Sequence, residues 1–355
     1  MNTPATSSPK PKPKPSALSA VERVLRYLFP VVVTVGLVVW MFGKVDFHKM
    51  MHVIRSGCDF WWIAAMMLLT TMSRMIRGIR WGIQLRAAGV PRMSVTAESV
   101  SIFGAYALNL LFPWLGEAWR CLYVTKRENV KLSTVIGTDL GDRISDAIVI
   151  ALLIALAFVV ARGPLDSFLS HYAIGKDVVD FTDNPWMWGC LAIAIGLLWA
   201  AYLIFRHTRY VEDLDRAVAS LWAGFKVLFT MRGRGLYVVL TVGIWVCYFL
   251  ETYLCFYAFP FTRRLISDPA TFYGLLPGLV VFVFGSCSMG VPSNGGLGPW
   301  NIAVMFALSL YGIPQTEGAA FSMVVWTCQN LMQIALGIFA AVYVTTQKKK
   351  RGQQG

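Results

Sequence analysis

Residues 132–161 read LSTVIGTDLGDRISDAIVIALLIALAFVVA, and the two halves of this stretch ask for different surroundings. The half from Ala147 onward carries no charge, whereas the half before it holds Asp139, Asp142, Arg143 and Asp146. As a helix rising 1.5 Å per residue the stretch is about 45 Å long, more than a ~30 Å hydrocarbon core requires. Asp139 and Arg143 stand four residues apart, as do Asp142 and Asp146, which groups the four on one side of that helix. A charge at a helix centre in the bilayer costs roughly 2.5–3.5 kcal/mol, so four approach ~10 kcal/mol. Their nearness to one end lowers the figure. What is left still argues that this face looks into protein or water.

The rest of the chain follows the same logic. Of its 355 residues 56% are hydrophobic and 14% charged, a balance foreign to a soluble surface of this size. Long apolar runs recur at Tyr27 to Phe42 and Gly318 to Val344. The alternating decamers of an outer-membrane barrel are absent, so the backbone must satisfy itself within helices. The expected fold class is all-α, a polytopic membrane protein.

The formal charge of +13 is explained by where it falls. Lys10, Lys12, Lys14, Arg23 and Arg26 precede the first run, and Lys348, Lys349, Lys350 and Arg351 follow the last. Arg74, Arg77, Arg80, Arg86 and Arg92 make one internal basic stretch, Arg120, Lys126, Arg127 and Lys131 a second, and 206–234 a third. The other connections, 44–59, 162–185 and 260–271, hold seven Lys or Arg in all. The positive-inside rule then sets both termini in the cytoplasm of a bacterial inner membrane and excludes a nucleic-acid partner. Residues 1–20, Pro- and Lys-rich, are expected to form a disordered cytoplasmic tail; 21–345 form the membrane domain, and 346–355 a basic cytoplasmic tail. The run after Arg26 continues without a small-residue exit, as a span and not a cleavable signal.

Six spans are expected, at 27–43, 59–80, 132–161, 186–206, 236–259 and 318–344. Two further apolar stretches, 98–122 and 272–311, are broken by Phe112-Pro113-Trp114-Leu115-Gly116 and by the segment Gly290 to Pro299. Each half is short for a crossing, and Pro and Gly sit where the chain should turn. Both read as re-entrant helical hairpins, which non-helical backbone permits only where it is buried or lines a wet cavity. Span, hairpin, span then recurs in 59–162 and 236–345 with opposite orientation, an inverted-topology repeat of the kind that holds a site near the midplane.

The candidate site collects at these breaks and on the charged face. Arg120 and Arg143, with the free amides of a half-helix starting at Gly116 and Glu117, are read as an anion site that Asp139, Asp142 and Asp146 position. The competing reading makes the cluster internal ion pairs that orient helices. Glu117 is favourable as an N-terminal acid and suits a cationic headgroup. Asn109, Glu251, Ser293, Asn294, Asn301, Gln329 and Asn330 are further intramembrane polar groups. Trp40, Trp61, Trp62, Trp81, Trp186 and Trp188 read as interfacial anchors. The seven cysteines, Cys58, Cys121, Cys190, Cys247, Cys255, Cys287 and Cys328, lack metal-site spacing and read as buried small apolar residues. His48 and His52, four apart without a carboxylate, read as a solvated helix face. No metal or cofactor is expected.

Leu108-Asn109-Leu110-Leu111-Phe112-Pro113-Trp114-Leu115-Gly116-Glu117-Ala118-Trp119-Arg120, then Gly141-Asp142-Arg143-Ile144-Ser145-Asp146, then Pro292-Ser293-Asn294-Gly295-Gly296-Leu297-Gly298 resemble in order and spacing the lysylphosphatidylglycerol synthase transmembrane family. The resemblance covers about residues 25 to 345 and implies a flippase-like domain without the synthase domain. Asn109, Pro113, Gly116, Glu117, Arg120, Arg143, Asp146, Pro292, Gly295, Gly296 and Gly298 match the family pattern. Asp142 stands where the family usually has Glu, and the Glu after its Gly-Gly-Leu-Gly segment is replaced around Pro299 to Asn301.

What the resemblance implies is movement of a phospholipid, with an anionic or aminoacylated headgroup, between leaflets. No GxxxxGK[ST] segment is present, so a gradient, a partner or downhill flow must supply the energy. The competing expectations are an integral-membrane lipid-modifying enzyme and a scaffold that holds a lipid-synthesis enzyme through basic loops. The first lacks a second catalytic Asp on another span and a His within the membrane.

Overall fold

The computed structural model describes residues 57–161 and 231–352, together with isolated helical positions at Val35, Val39, His48, Met51, His52 and Arg55. The expected tail 1–20, the span 27–43 apart from Val35 and Val39, the span 186–206, Trp40, Trp186, Trp188 and Cys190 lie outside the described residues. Among the described residues all regular structure is helical.

The first half of the fold holds α1 (Phe60–Ala87), α2 (Val95–Asn109), α3 (Leu115–Glu128) and α4 (Leu132–Val160). The second holds α5 (Arg234–Phe256), α6 (Pro260–Ser267), α7 (Leu275–Ser288), α8 (Pro299–Ser309) and α9 (Gln315–Gly352). Local chemistry sets the boundaries. Asp59 caps α1 by accepting from the Trp61 amide at 3.2 Å, and Ser94 caps α2 by accepting from Ala97 at 3.3 Å. Pro260 and Pro299 occupy first turns, where a missing N–H costs nothing. Lys126 and Arg127 close α3 against its negative end.

Among the described residues three helices are long and apolar enough to cross a membrane: α4, α5 and α9 through Gln347. Burial inside the protein takes up only 6%, 33% and 22% of their apolar windows. Ile148, Leu152, Leu156 and Phe158 on α4, Val238, Val242 and Val246 on α5, and Ile334, Ile338 and Val342 on α9 face outward, as hydrocarbon contact requires. The expected span 59–80 is the start of a 28-residue helix whose second half carries Arg74, Arg77, Arg80 and Arg86; those charges keep α1 out of the apolar class. Helix α9 continues to Gly352.

Helices α1 and α5 lie antiparallel at the centre. Gln84 meets Tyr237, Arg80 meets Thr241, Ser73 meets Glu251, and the Asp59 amide donates to the Ala258 carbonyl at 2.7 Å. Helix α2 packs on α1, α3 and α9; α7 packs on α5, α8 and α4; α3 packs on α4, and α8 on α9. One apolar cluster gathers Ile63, Phe256, Phe259, Val280, Leu308 and Phe321, and another gathers Trp81, Leu85, Ile102 and Val124.

The two broken stretches fold as helix pairs. Helices α2, α3, α7 and α8 have 15, 14, 14 and 11 residues, hence at most about 22 Å each, short of a ~30 Å core. In each pair a tryptophan seats on a glycine of the partner helix. A Cβ on Gly104 would enter the Trp119 ring, and one on Gly285 would lie 2.8 Å from Trp300 Nε1; both pairs are fifteen positions apart (119 − 104 and 300 − 285).

Candidate functional site

Helix α1 presents Arg74, Arg77 and Arg80 at three-residue spacing, so they share a face. All three are buried, at 7%, 3% and 0% exposure. They are therefore interior residues, and their reading as part of a cytoplasmic basic stretch is corrected: α4 sets its acidic face directly against Arg77 and Arg80. Arg80 Nη2 reaches Asp142 Oδ1 at 2.7 Å and Asp146 Oδ1 at 2.8 Å, while Arg77 Nη2 reaches Asp142 Oδ2 at 3.3 Å and also pairs with Asp146. Arg120, from α3, pairs with Asp139 and lies 3.6 Å from Asp142. Its guanidinium also stacks 4.4 Å above the Trp81 ring. Trp81 is fully buried, so it is a platform for Arg120 and not an interfacial anchor; exposed Trp61 keeps that reading, and Trp62 stacks on Tyr257 at 4.6 Å.

Arg143 pairs with Glu117 of α3. The i,i+4 grouping of Asp139 with Arg143 is thus replaced by two bridges, both reaching across to α3. Four arginines (77, 80, 120, 143) face four carboxylates (117, 139, 142, 146), so this cluster is formally neutral. Arg143 is its wet edge, with 45% of its side chain exposed against 0% for Asp142. Burying so many charges is tolerable because each has a bridged partner; removing one strands the rest.

The amides expected to be free at the start of α3 are partly used. Gly116 N donates to Asn109 Oδ1 at 2.8 Å, and Asn109 Nδ2 donates to Glu117 Oε1 at 3.1 Å. Asn109 therefore caps α3 across the turn, with Pro113 half-buried between them and Trp114 in the left-handed region at φ 65°. In the second pair Gly298 N donates to Asn301 Oδ1 at 3.1 Å, so the residue near the replaced Glu has a capping role. Gly295, Gly296 and Gly298 all have positive φ, at 60°, 76° and 90°, which explains a Gly-rich turn after Pro292 and Ser293.

The two turns touch. A Cβ on Gly295 would lie 2.8 Å from Leu110 Cδ2 and 3.3 Å from Asn330 Oδ1. Trp326 Nε1 donates to the Gly295 carbonyl at 2.8 Å, and Asn330 Nδ2 donates to the Trp326 carbonyl at 2.7 Å. Asn330 Oδ1 is buried without a hydrogen-bond partner. Thus Asn330 joins the turn holding Asn294, Gly295 and Gly296, while Gln329 reaches toward Glu251 Oε2 at 3.5 Å.

A ring of phenols surrounds the arginines, and no sequence pattern announced it. Tyr248 OH accepts from Arg74 Nη1 and Arg77 Nη1, each at 3.3 Å, and lies 3.5 Å from Tyr106 OH. Arg74 stacks 3.9 Å over the Tyr106 ring. Tyr237 accepts from Gln84 Nε2 at 2.9 Å and donates to Ser145 Oγ at 2.8 Å. Tyr237→Phe leaves Gln84 Nε2 buried without its acceptor, while Ser145 keeps its bond to the Gly141 carbonyl, and is expected to cost about 1–3 kcal/mol, read as a lower unfolding midpoint in detergent with the helix content unchanged.

The six described cysteines are free thiols, with Cys287 exposed and Cys121, Cys247 and Cys255 buried. His48 and His52 are helical and exposed. Among the described residues no group of three His, Cys, Asp or Glu could hold a metal ion.

Residues 27–337 match the family model described as the lysylphosphatidylglycerol synthase TM region. Comparisons with curated proteins and with solved structures gave no match.

Proposed function

The chain belongs to the family of the lysylphosphatidylglycerol synthase transmembrane region, and from that premise we propose that it carries a phospholipid, or a lipid with a comparable polar headgroup, between the leaflets of the cytoplasmic membrane. The observation that carries this reading is the meeting of the two helix-pair turns, Leu110 against Gly295 beside Asn330, next to a neutral cluster of buried ions that opens at Arg143 and Glu117. A headgroup moves along this polar seam while its tails stay in the bilayer.

Two features support re-entrant hairpins in an inverted-topology repeat. The helices of each pair are shorter than a crossing, and packing repeats between the halves: α2 on α9 answers α7 on α4, and α1 on α2 answers α5 on α7. Such a repeat supplies two related conformations around one site. The cytoplasmic end is assigned from Arg86, Arg92, Lys126, Arg127 and Lys131, which remain near one end of α1 and α3 once the buried arginines are set aside.

The test is transbilayer exchange of fluorescent phospholipids in liposomes holding purified protein. Exchange well above protein-free liposomes is expected for at least one anionic or aminoacylated lipid; background exchange with all of them ends the proposal.

A further inference from the structure

Among the described residues, the buried charged side chains outside the neutral cluster are Glu98, bridged to Arg86, and the unbridged Arg74 and Glu251. Glu251 is 4% exposed. Ser73 Oγ donates to its Oε1 at 2.8 Å and Gln329 Nε2 reaches its Oε2 at 3.5 Å, so neutral groups from α1 and α9 hold it. Asp139, Asp142, Asp146, Glu98 and Glu117 each bridge an arginine; Glu251, among the described residues, bridges none. Protonating Asp142 would strand three guanidiniums. Protonating Glu251 breaks no ion pair.

Arg74 is the complement. Its hydrogen-bond and ring partners are the neutral Tyr248 and Tyr106, and its Nε is buried with no partner. Arg74 and Glu251 face the same stretch of the α1–α5 contact, where Ser73 bonds Glu251 and Arg74 bonds Tyr248 three residues before it, although the two make no direct bridge. When Glu251 is ionised the pair is neutral at a distance. When Glu251 is protonated, Arg74 becomes an uncompensated buried cation with a donor to spare, an arrangement that draws a phosphate oxygen.

We propose that Glu251 is a proton-binding site coupled to an anionic phosphate site at Arg74, so that one proton and one phosphate group bind together. The carboxylate takes its proton from water as the phosphate enters and returns it to water as the phosphate leaves, and the added charges cancel. Cys247 and Cys255 on α5 lie around Glu251, with Cys58 and Cys328 beside Cys255, and Arg74 is flanked by Tyr106, Tyr248 and Arg77, which shares the Tyr248 hydroxyl with it. The inference deepens the translocation reading by naming what it binds and what it is coupled to, and its test needs no transport.

Affinity for short-chain phosphatidylglycerol, and separately for inorganic phosphate, is measured by calorimetry in detergent across pH, with proton uptake read from buffers of different ionisation heat. Wild-type affinity is expected to rise as pH falls, by up to tenfold per unit for one linked proton. For the lipid, whose phosphodiester does not titrate in this range, Glu251→Gln should bind at the high-affinity level at every pH without proton uptake, and Arg74→Gln should lose at least tenfold for either probe; for inorganic phosphate the proton count is read as the difference between wild type and Glu251→Gln, since phosphate itself titrates near neutral pH. Infrared difference spectra should show a protonated-carboxyl band at low pH that Glu251→Gln lacks. Binding of both probes with this linkage, or of the lipid alone, supports the site, the lipid-only result assigning it to a headgroup. Wild-type affinity independent of pH, linkage surviving in Glu251→Gln, or no binding of either probe overturns it. If linkage holds while liposomes stay at background, translocation falls and the coupled site stands; the reverse removes the site and leaves translocation.

Discussion

Asp142→Ala is expected to cost about 3–5 kcal/mol of stability, the penalty for breaking a buried ion network by removing one partner. Asp142 is fully buried and touches Arg77, Arg80 and Arg120 at 3.3, 2.7 and 3.6 Å. Asp146 and Asp139 each retain contact with these arginines, yet three guanidiniums would share two carboxylates where water cannot enter. Asp142→Asn keeps the volume and loses the charge, so it should fall nearly as far, which separates an electrostatic loss from a cavity. Arg263→Ala is the comparison: its bridge to Asp59 is 46% and 37% exposed, and such pairs contribute at most about 1 kcal/mol. Thermal unfolding in detergent checks all three. An Asp142→Ala protein that melts with the wild type would mean that the cluster is not the ordered network described.

Gly116→Ala has the second large effect. A Cβ there would drive into the Ala105 carbonyl, and backbone on both sides leaves no side chain to rotate away. The α2–α3 pair must open, at a cost above the ~1–3 kcal/mol usual for overpacking, and the Asn109 cap on Gly116 loosens with it, adding about 1 kcal/mol. Gly137→Ala, on α4 with nothing near its Cβ, should be neutral or gain up to ~1 kcal/mol from helix propensity. If both substitutions leave the unfolding midpoint unchanged, the close approach of α2 and α3 is wrong.

The helix breaks were legible because Pro and Gly punctuate a chain whose apolar runs are otherwise long. The expected breaks at 112–116 and 290–299 overlap the observed gaps between Asn109 and Leu115 and between Ser288 and Pro299, with Leu115, Gly116 and Pro299 already in the helices that follow. The acidic face of α4 was legible from its i,i+4 spacing. Its partners were not. Arg74, Arg77 and Arg80 sit in the second half of a long helix whose apolar start looks like a complete span, and counting basic residues cannot separate a loop arginine from an inward one. The clue was the three-residue spacing of Arg77 and Arg80, which puts both on the face that meets Asp142 and Asp146. Asn109 capping Gly116, the phenols of Tyr106, Tyr237 and Tyr248, and the burial of Trp81 depend on how helices distant in sequence meet, and no local pattern encodes that.

The claim that lipid passes between the two turns is tested most directly by tying them together. In a background with the seven native cysteines replaced, Leu110→Cys with Gly295→Cys puts thiols where a Cβ on residue 295 lies 3.8 Å from the Cα of residue 110, within disulfide reach. Phospholipid exchange in liposomes is then measured oxidised, reduced, and with each single cysteine. Exchange is expected in the reduced pair and both singles, with background exchange in the oxidised pair and recovery on adding reductant. Undiminished exchange through a fully crosslinked protein would contradict it.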